Sequence, residues 1–162
     1  MKFSTQQDAF AKALGLVSRG ISTRTTLPAL SGVFMEVLDN QLILTGSNTE
    51  IALRTTIKVN GDEDGIFLVG AKLLTDFILT LPNGVVNVEV VDEILKISSS
   101  RTKSEFTGMP YSDYPELSFS MQSETFELPI KQMMESVDRV CFASSNDEAR
   151  AVLTGVSMKV VN

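Results

Sequence analysis

The chain has no histidine and a single cysteine, Cys141, among its 162 residues. Without histidine, Ser-His-Asp and Cys-His catalysis are excluded, and the commonest transition-metal ligand is missing with them. A lone cysteine forms no intrachain disulfide and reads as a small buried apolar residue. Neither a Walker loop nor a dinucleotide fingerprint occurs. No apolar run reaches membrane-spanning length, and no leader of charged, apolar and small residues opens the chain, so a cytoplasmic location is expected. Basic residues are outnumbered, 14 to 20, which leaves a net charge of −6. Such a chain repels nucleic acid at long range unless its cations are segregated. Carboxylate acid–base chemistry is the one route left open, and no paired carboxylates stand out for it. Asp62-Glu63-Asp64 lacks calcium-loop spacing and reads as a hairpin turn. The expectation is a non-catalytic protein with neither metal nor cofactor.

What is present is periodic. An apolar content of 43% suits a globular core. Over residues 6–20, Phe10, Ala13, Leu14 and Val17 recur on one helical face, with Lys12 and Arg19 nearly opposite. A second helix is predicted over 71–81, with Leu74, Phe77, Ile78 and Leu81 inward and Lys72 across from them; Pro82-Asn83-Gly84 stops it. Strand-like stretches cover 1–5, 31–38, 41–45, 51–59, 66–69, 85–91, 94–98 and 103–107, separated by turns such as Asp39-Asn40. Residues 108–125 look like a connector. A strand at 126–128, a helix at 129–142 and a strand around 152–160 follow it.

Two internal echoes organise these elements. Shifted by 123 residues, Leu30, Gly32, Val33, Met35 and Val37 fall on Leu153, Gly155, Val156, Met158 and Val160, while Phe10, Leu14 and Val17 fall on Met133, Val137 and Val140. At an offset of 53, Glu36-Val37, Asp39, Leu42 and Leu44 meet Glu89-Val90, Asp92, Leu95 and Ile97. Each half of the first unit is then a strand, a helix and a three-stranded meander. The expected fold is α+β: two four-stranded antiparallel sheets with two helices and an internal pseudo-two-fold repeat. Residues 1–122 form the first domain, and 123–162 open a second that is cut short. The predicted helices lie about 63 residues apart, so the first half carries about ten extra residues, in the loop holding Arg19 and Arg24. Inserted loops of this kind often carry function.

Two groups of residues are candidate sites. Lys12, Arg19, Arg24 and Lys72 lie on helix faces opposite the apolar stripes, at a helix end or on the extra loop, where Ser22, Thr23, Thr25 and Thr26 could add hydroxyls toward phosphate. They are otherwise ordinary solvated surface, and Asp8 and Asp76 on the same faces weaken the field. Along 101–106, Arg101, Lys103 and Glu105 alternate with Thr102, Ser104 and Phe106. That is a charge-protected edge strand, or one that pairs with another subunit. Met133-Met134 at helical spacing reads as core filler.

Met1-Lys2-Phe3, Thr26-Leu27-Pro28-Ala29-Leu30-Ser31-Gly32-Val33, residues 42–50, Met109-Pro110, Asp113-Tyr114-Pro115-Glu116-Leu117 and residues 149–156 resemble, in order and across the whole chain, the bacterial DNA polymerase III beta subunit, the sliding-clamp family. The resemblance implies a sliding-clamp (DNA clamp) domain in a non-catalytic processivity factor. Three such domains per subunit and two subunits head to tail would close a ring around duplex DNA, helices lining the hole. It implies DNA contacts at Arg24 and Lys72, with Arg19 and Lys12 beside them. It places Phe106 at the apolar subunit interface, with Arg101 and Lys103 near its ion pairs and Ser104 in the place of an aromatic. Arg150 would border the pocket for polymerase and clamp-loader peptides, and the charge of Asp147 argues against a DNA contact there. The alternative is a free-standing protein- or ligand-binding domain using the 20–30 loop.

Overall fold

The structure, a computed structural model, describes residues 1–22, 25, 27–48, 50–119 and 127–159. Two compact units are formed, Met1–Leu117 and Ser118–Asn162.

In the first unit the chain runs β1 (Lys2–Gln6), α1 (Gln7–Val17), β2 (Gly32–Leu38), β3 (Gln41–Ser47), β4 (Ala52–Lys58), β5 (Asn60–Glu63), β6 (Gly65–Gly70), α2 (Ala71–Thr80), β7 (Val85–Val91), β8 (Ile94–Ser99) and β9 (Thr102–Thr107). Two antiparallel sheets result, in the orders β5-β1-β7-β8-β9 and β4-β3-β2-β6. Each half lends its first strand to the other half's meander: β1 lies beside β7 and β6 beside β2. That exchange is why the two halves form one body, since each meander's exposed edge is covered by the other half. The repeat reaches the backbone of the turns. Asp39-Asn40 and Asp92-Glu93 all have positive φ, from 50° to 61°, as the two central residues of a tight type I′ hairpin require.

One sheet has five strands where four are expected from the sequence. The additional strand is β5, whose acidic residues read as a turn. It pairs with β1, placing Glu63 opposite Lys2 and 3.5 Å from the amino group of Met1. Hairpin chemistry in the sequence marks where the chain reverses. It does not show that a neighbouring strand has an open edge.

The apolar stripes of both helices face inward as the periodicity predicts. Phe10, Leu14, Val17, Leu74 and Ile78 are fully buried in one core with Met35, Leu42, Leu44, Val86, Val88, Leu95 and Ile97 from both sheets. The helices lie side by side and antiparallel. Gln7 Nε2 donates to Ile78 O at 2.8 Å at one end of the pair, and the Ser18 and Thr75 hydroxyls meet at 3.2 Å at the other.

The second unit contains α3 (Ile130–Cys141) and a 3₁₀ segment, Glu148–Leu153. Helix α3 begins 123 residues after α1, as the echo predicts, but residues 155–159 form no strand, and neither do 127–128. Val152 and Leu153, also expected in the later of these strands, lie in the 3₁₀ segment, and Phe126 and Val160 lie outside the described residues. A helix satisfies its own backbone hydrogen bonds, whereas β2 in the first unit is held by β3 and β6 on either side. The apolar face of α3 is only partly covered: Met133 and Val137 are half-buried, whereas Ile130 is 69% and Met134 59% exposed. Met134 is therefore not core filler. Cys141 is exposed rather than buried, for the same reason.

Candidate nucleic-acid interface

Antiparallel packing brings the end of α1 to the start of α2. Arg19 follows α1 in a short 3₁₀ turn, and Lys72 is the second residue of α2; both are exposed. Lys72, Ser18, Ile21, Ser22, Ser31 and Thr75 line one open cleft of about 410 Å³. A cation in the first turn of a helix opposes the helix dipole, by about 0.3–1 kcal/mol, so helix stability does not account for Lys72. Its charge and the dipole of α2 would favour an anion at this end of the helix pair, and Asp76, which lines the same cleft, opposes it. Among the described residues neither Arg19 nor Lys72 has an ion-pair partner. Arg24, Thr23 and Thr26 lie outside the described residues. Thr25 is described, and its hydroxyl is turned onto its own loop, bonding Leu27 N and O at 3.1 and 3.3 Å.

Lys12 differs from the other cations. It sits mid-helix on α1, seven residues or about 10 Å from Arg19, with Nζ 3.5 Å from Asp8 Oδ2. Such an exposed pair is weak, yet it offsets the charge of Lys12. With Asp8 and Asp76 also exposed, three described cations face two carboxylates, and Leu16, Leu73 and Leu79 stand exposed among them. The face is therefore weakly basic against a chain of net charge −6.

The base of the extra loop is fixed by a feature that helical periodicity does not reveal. Gly46 of β3 is packed so closely that a Cβ there would meet Val17 O and lie 2.8 Å from Ile21 Cγ1. A Cβ on Gly20 would in turn lie 3.0 Å from Gly46 O. The only sequence signal is a buried glycine inside an apolar strand, which marks a close backbone approach.

The candidate subunit edge is β9, whose one strand partner among the described residues is β8. Arg101 and Lys103 are exposed, and Ser104 is half-buried. Phe106 is also half-buried, its ring edge-on to Phe77 of α2 at 5.4 Å, so part of this apolar surface is spent within its own unit. Arg150 is exposed in the second unit. There Asp147 caps the 3₁₀ segment, accepting from Ala149 N at 3.0 Å, which occupies the carboxylate locally.

Residues 109–117 carry an anchor that sequence reading leaves unassigned. Tyr114 stacks on Phe34 of β2 at 5.3 Å, and its hydroxyl donates to Thr45 O at 3.4 Å. Burial pushes its phenol from 10.0 up to about 12, against the opposing effect of Arg54. A raised phenol favours the fold fully below pH 10, and this contribution is lost as pH climbs toward 12. In a Tyr111→Phe background, phenolate absorbance is expected to rise late, near pH 12, together with loosening of residues 109–117 to proteolysis. Tyr114→Phe should abolish that absorbance step; a rise complete by pH 10.5 would show an unburied phenol.

Among the described residues no group of side chains is arranged to hold a metal ion, and no helix is long and apolar enough to cross a membrane. The fold is shared with solved bacterial clamps. The Bacillus subtilis DNA polymerase sliding clamp superimposes with a TM-score of 0.88 at 26% identity, over 96% of this chain and 43% of that one. The Pseudomonas aeruginosa DNA polymerase III subunit beta does so at 0.87 and 30% identity, again over 96% and 43%. Residues 1–118 match the family described as DNA polymerase III beta subunit, N-terminal domain, and the chain belongs to that family. A beta sliding clamp of Staphylococcus epidermidis is 31% identical over 97% of this chain, and that of Bacillus subtilis 28% over 99%. The chain spans 44% and 45% of their respective lengths.

Proposed function

We propose that residues 1–122 act as the first domain of a DNA polymerase processivity clamp and that residues 123–162 open its second domain. In this reading the chain is a segment of a cytoplasmic ring that encircles duplex DNA and tethers the replicative polymerase, doing no chemistry of its own. Arg24, Lys72, Arg19 and Lys12 contact phosphates, with Lys12 weakest because Asp8 already holds it. The β9 edge, with Phe106, Arg101, Lys103 and Ser104, closes the head-to-tail ring. Arg150 borders the pocket that receives polymerase and clamp-loader peptides.

The observation that carries this reading is the charge contrast in a member of the clamp family. On the solvent faces of α1 and α2, Lys12 and Lys72 balance Asp8 and Asp76, and Arg19 in the turn after α1 tips this side to a net positive charge, while the whole chain is acidic. A protein held by many phosphate contacts grips its site, and affinity and salt dependence rise with each contact. A ring is held by topology, so a sparse basic lining retains DNA without arresting diffusion along it, and an acidic exterior repels DNA from the outer wall.

The test is a chimera in which residues 1–122 replace the matching segment of the Bacillus subtilis clamp. Loaded on circular DNA by its clamp loader, it is expected to stay bound at salt that dissolves phosphate contacts, and to be released when the circle is cut. Loss from intact circles in high salt would show ordinary surface binding and refute the ring.

A further inference from the structure

Asn-Gly occurs twice in the chain, at Asn60-Gly61 and at Asn83-Gly84. The dipeptide carries a reaction of its own, because glycine has no side chain to shield its nitrogen. That nitrogen attacks Cγ of the asparagine. A bond forms between Gly N and Asn Cγ, the bond from Cγ to Nδ2 breaks, and the side-chain nitrogen leaves as ammonia, taking the glycine proton. Water then opens the five-membered imide and is the only co-reactant. Opening at one carbonyl gives aspartate. Opening at the other gives isoaspartate, in which the backbone runs through the former side chain and is one carbon longer. A glycine nitrogen already donating a hydrogen bond must give it up before it can attack.

The fold treats the two copies differently. Asn60-Gly61 lies in β5, with Ser4 and Phe3 of β1 opposite. Gly61 N donates to Asn40 Oδ1 at 3.0 Å, so the attacking nitrogen is occupied. Asn83-Gly84 lies in the turn between α2 and β7, outside both elements. Asn83 is exposed, and among the described residues neither its side chain nor Gly84 N makes a hydrogen bond. Gly84 holds φ at 145°, which glycine adopts without steric cost, so the turn itself demands the residue that makes Asn83 reactive. The same turn is tied to the start of α1, where Gln7 N donates to Gly84 O at 2.8 Å. Lengthening the backbone just before Gly84 displaces that carbonyl.

We propose that Asn83 is a site of spontaneous deamidation in the folded protein, that the bond from Gly61 to Asn40 spares Asn60, and that isoaspartate at position 83 loosens the start of α1. Each event adds one negative charge to a net of −6.

The test incubates the 162-residue chain at mildly alkaline pH and follows both asparagines by peptide mass spectrometry, with an isoaspartate methyltransferase to mark isoaspartate. In the folded chain Asn83 is expected to convert about tenfold or more faster than Asn60, since a hydrogen bond must break at Gly61 and about 1.4 kcal/mol in a barrier is a factor of ten. Equal rates, or an intact Asn83, overturn the site. In unfolding urea the two rates should converge; a gap that persists there assigns the difference to flanking residues and overturns the role of the fold. Asn40→Gly removes the acceptor while tolerating the φ of 61° at that position, and should speed Asn60 several-fold with Asn83 unchanged. Asn40→Asp keeps an acceptor oxygen and should leave Asn60 slow. An Asn60 rate indifferent to Asn40→Gly, or raised as much by Asn40→Asp, overturns the protection. Asn83→Asp supplies the charge without the extra carbon, and should melt above the deamidated fraction collected by anion exchange. Equal midpoints overturn the link to α1.

Discussion

Alanine at both Arg24 and Lys72, in a full-length ring, is expected to lower DNA affinity at low salt roughly tenfold or more and to reduce the salt slope by about 2. The slope is the sharper readout, because each phosphate left without its cation keeps about one counterion that binding would otherwise release. Lys72 is well placed for this effect, exposed at the start of α2 beside the hydroxyls of Ser18 and Ser22, with no ion pair among the described residues to weaken it. Lys12→Ala serves as the internal comparison. Its ammonium lies 3.5 Å from Asp8 Oδ2, so its removal should change the slope far less. Anisotropy titrations over a salt series measure both. An unchanged slope in the double variant would remove these residues from the interface.

Gly46→Ala is expected to cost about 2–3 kcal/mol of stability, at the upper end of what a single added methyl does in a packed core. The new Cβ would fall on the Val17 carbonyl oxygen, at the end of α1, and against the Ile21 side chain. Neither backbone yields without moving α1 from β3 or displacing residues 18–21, which form the base of the extra loop. Gly15→Ala is the control. Gly15 lies on the exposed face of α1 with nothing within 4 Å of an added Cβ, so alanine should raise stability by about 0.5–1 kcal/mol. Urea unfolding of both variants measures the contrast. Equal and small effects would mean that β3 and the end of α1 are not in close contact. Because the same contact sets the loop base, Gly46→Ala should also weaken DNA association by the ring, whereas Gly15→Ala should leave it unchanged.

The elements differ in how far their sequences reveal them. Helices α1 and α2 are legible because Phe10, Leu14, Val17, Leu74 and Ile78 recur at helical spacing and all end buried. The meanders are legible twice over, since Asp39-Asn40 and Asp92-Glu93 mark equivalent turns. Strand β5 is not, because Asn60-Gly61-Asp62-Glu63 has turn composition and becomes a strand only where β1 offers an edge and Lys2 a counter-charge. The segment after Gly155 fails in the opposite direction. Its apolar residues match those of β2, yet 155–159 form no strand.

The candidate site divides along the same line. Opposition to an apolar stripe suffices to place Lys12 and Lys72 on solvent faces. It does not reveal that Lys12 is paired with Asp8, that Phe106 rests on Phe77, or that Tyr114 holds residues 109–117 against β2 and β3.

By itself the amino-acid order determined which residues face inward, where the chain turns, and that one unit is built twice over. The first two are local properties, set by side-chain periodicity and backbone preference within a few residues, and the third needs only the chain compared with itself. Only the tertiary structure decided that the halves exchange strands and that the helices run antiparallel so that Arg19 and Lys72 share one end. Each of these depends on residues far apart in the chain, where the open edge of one segment is met by the hydrogen-bonding groups of another.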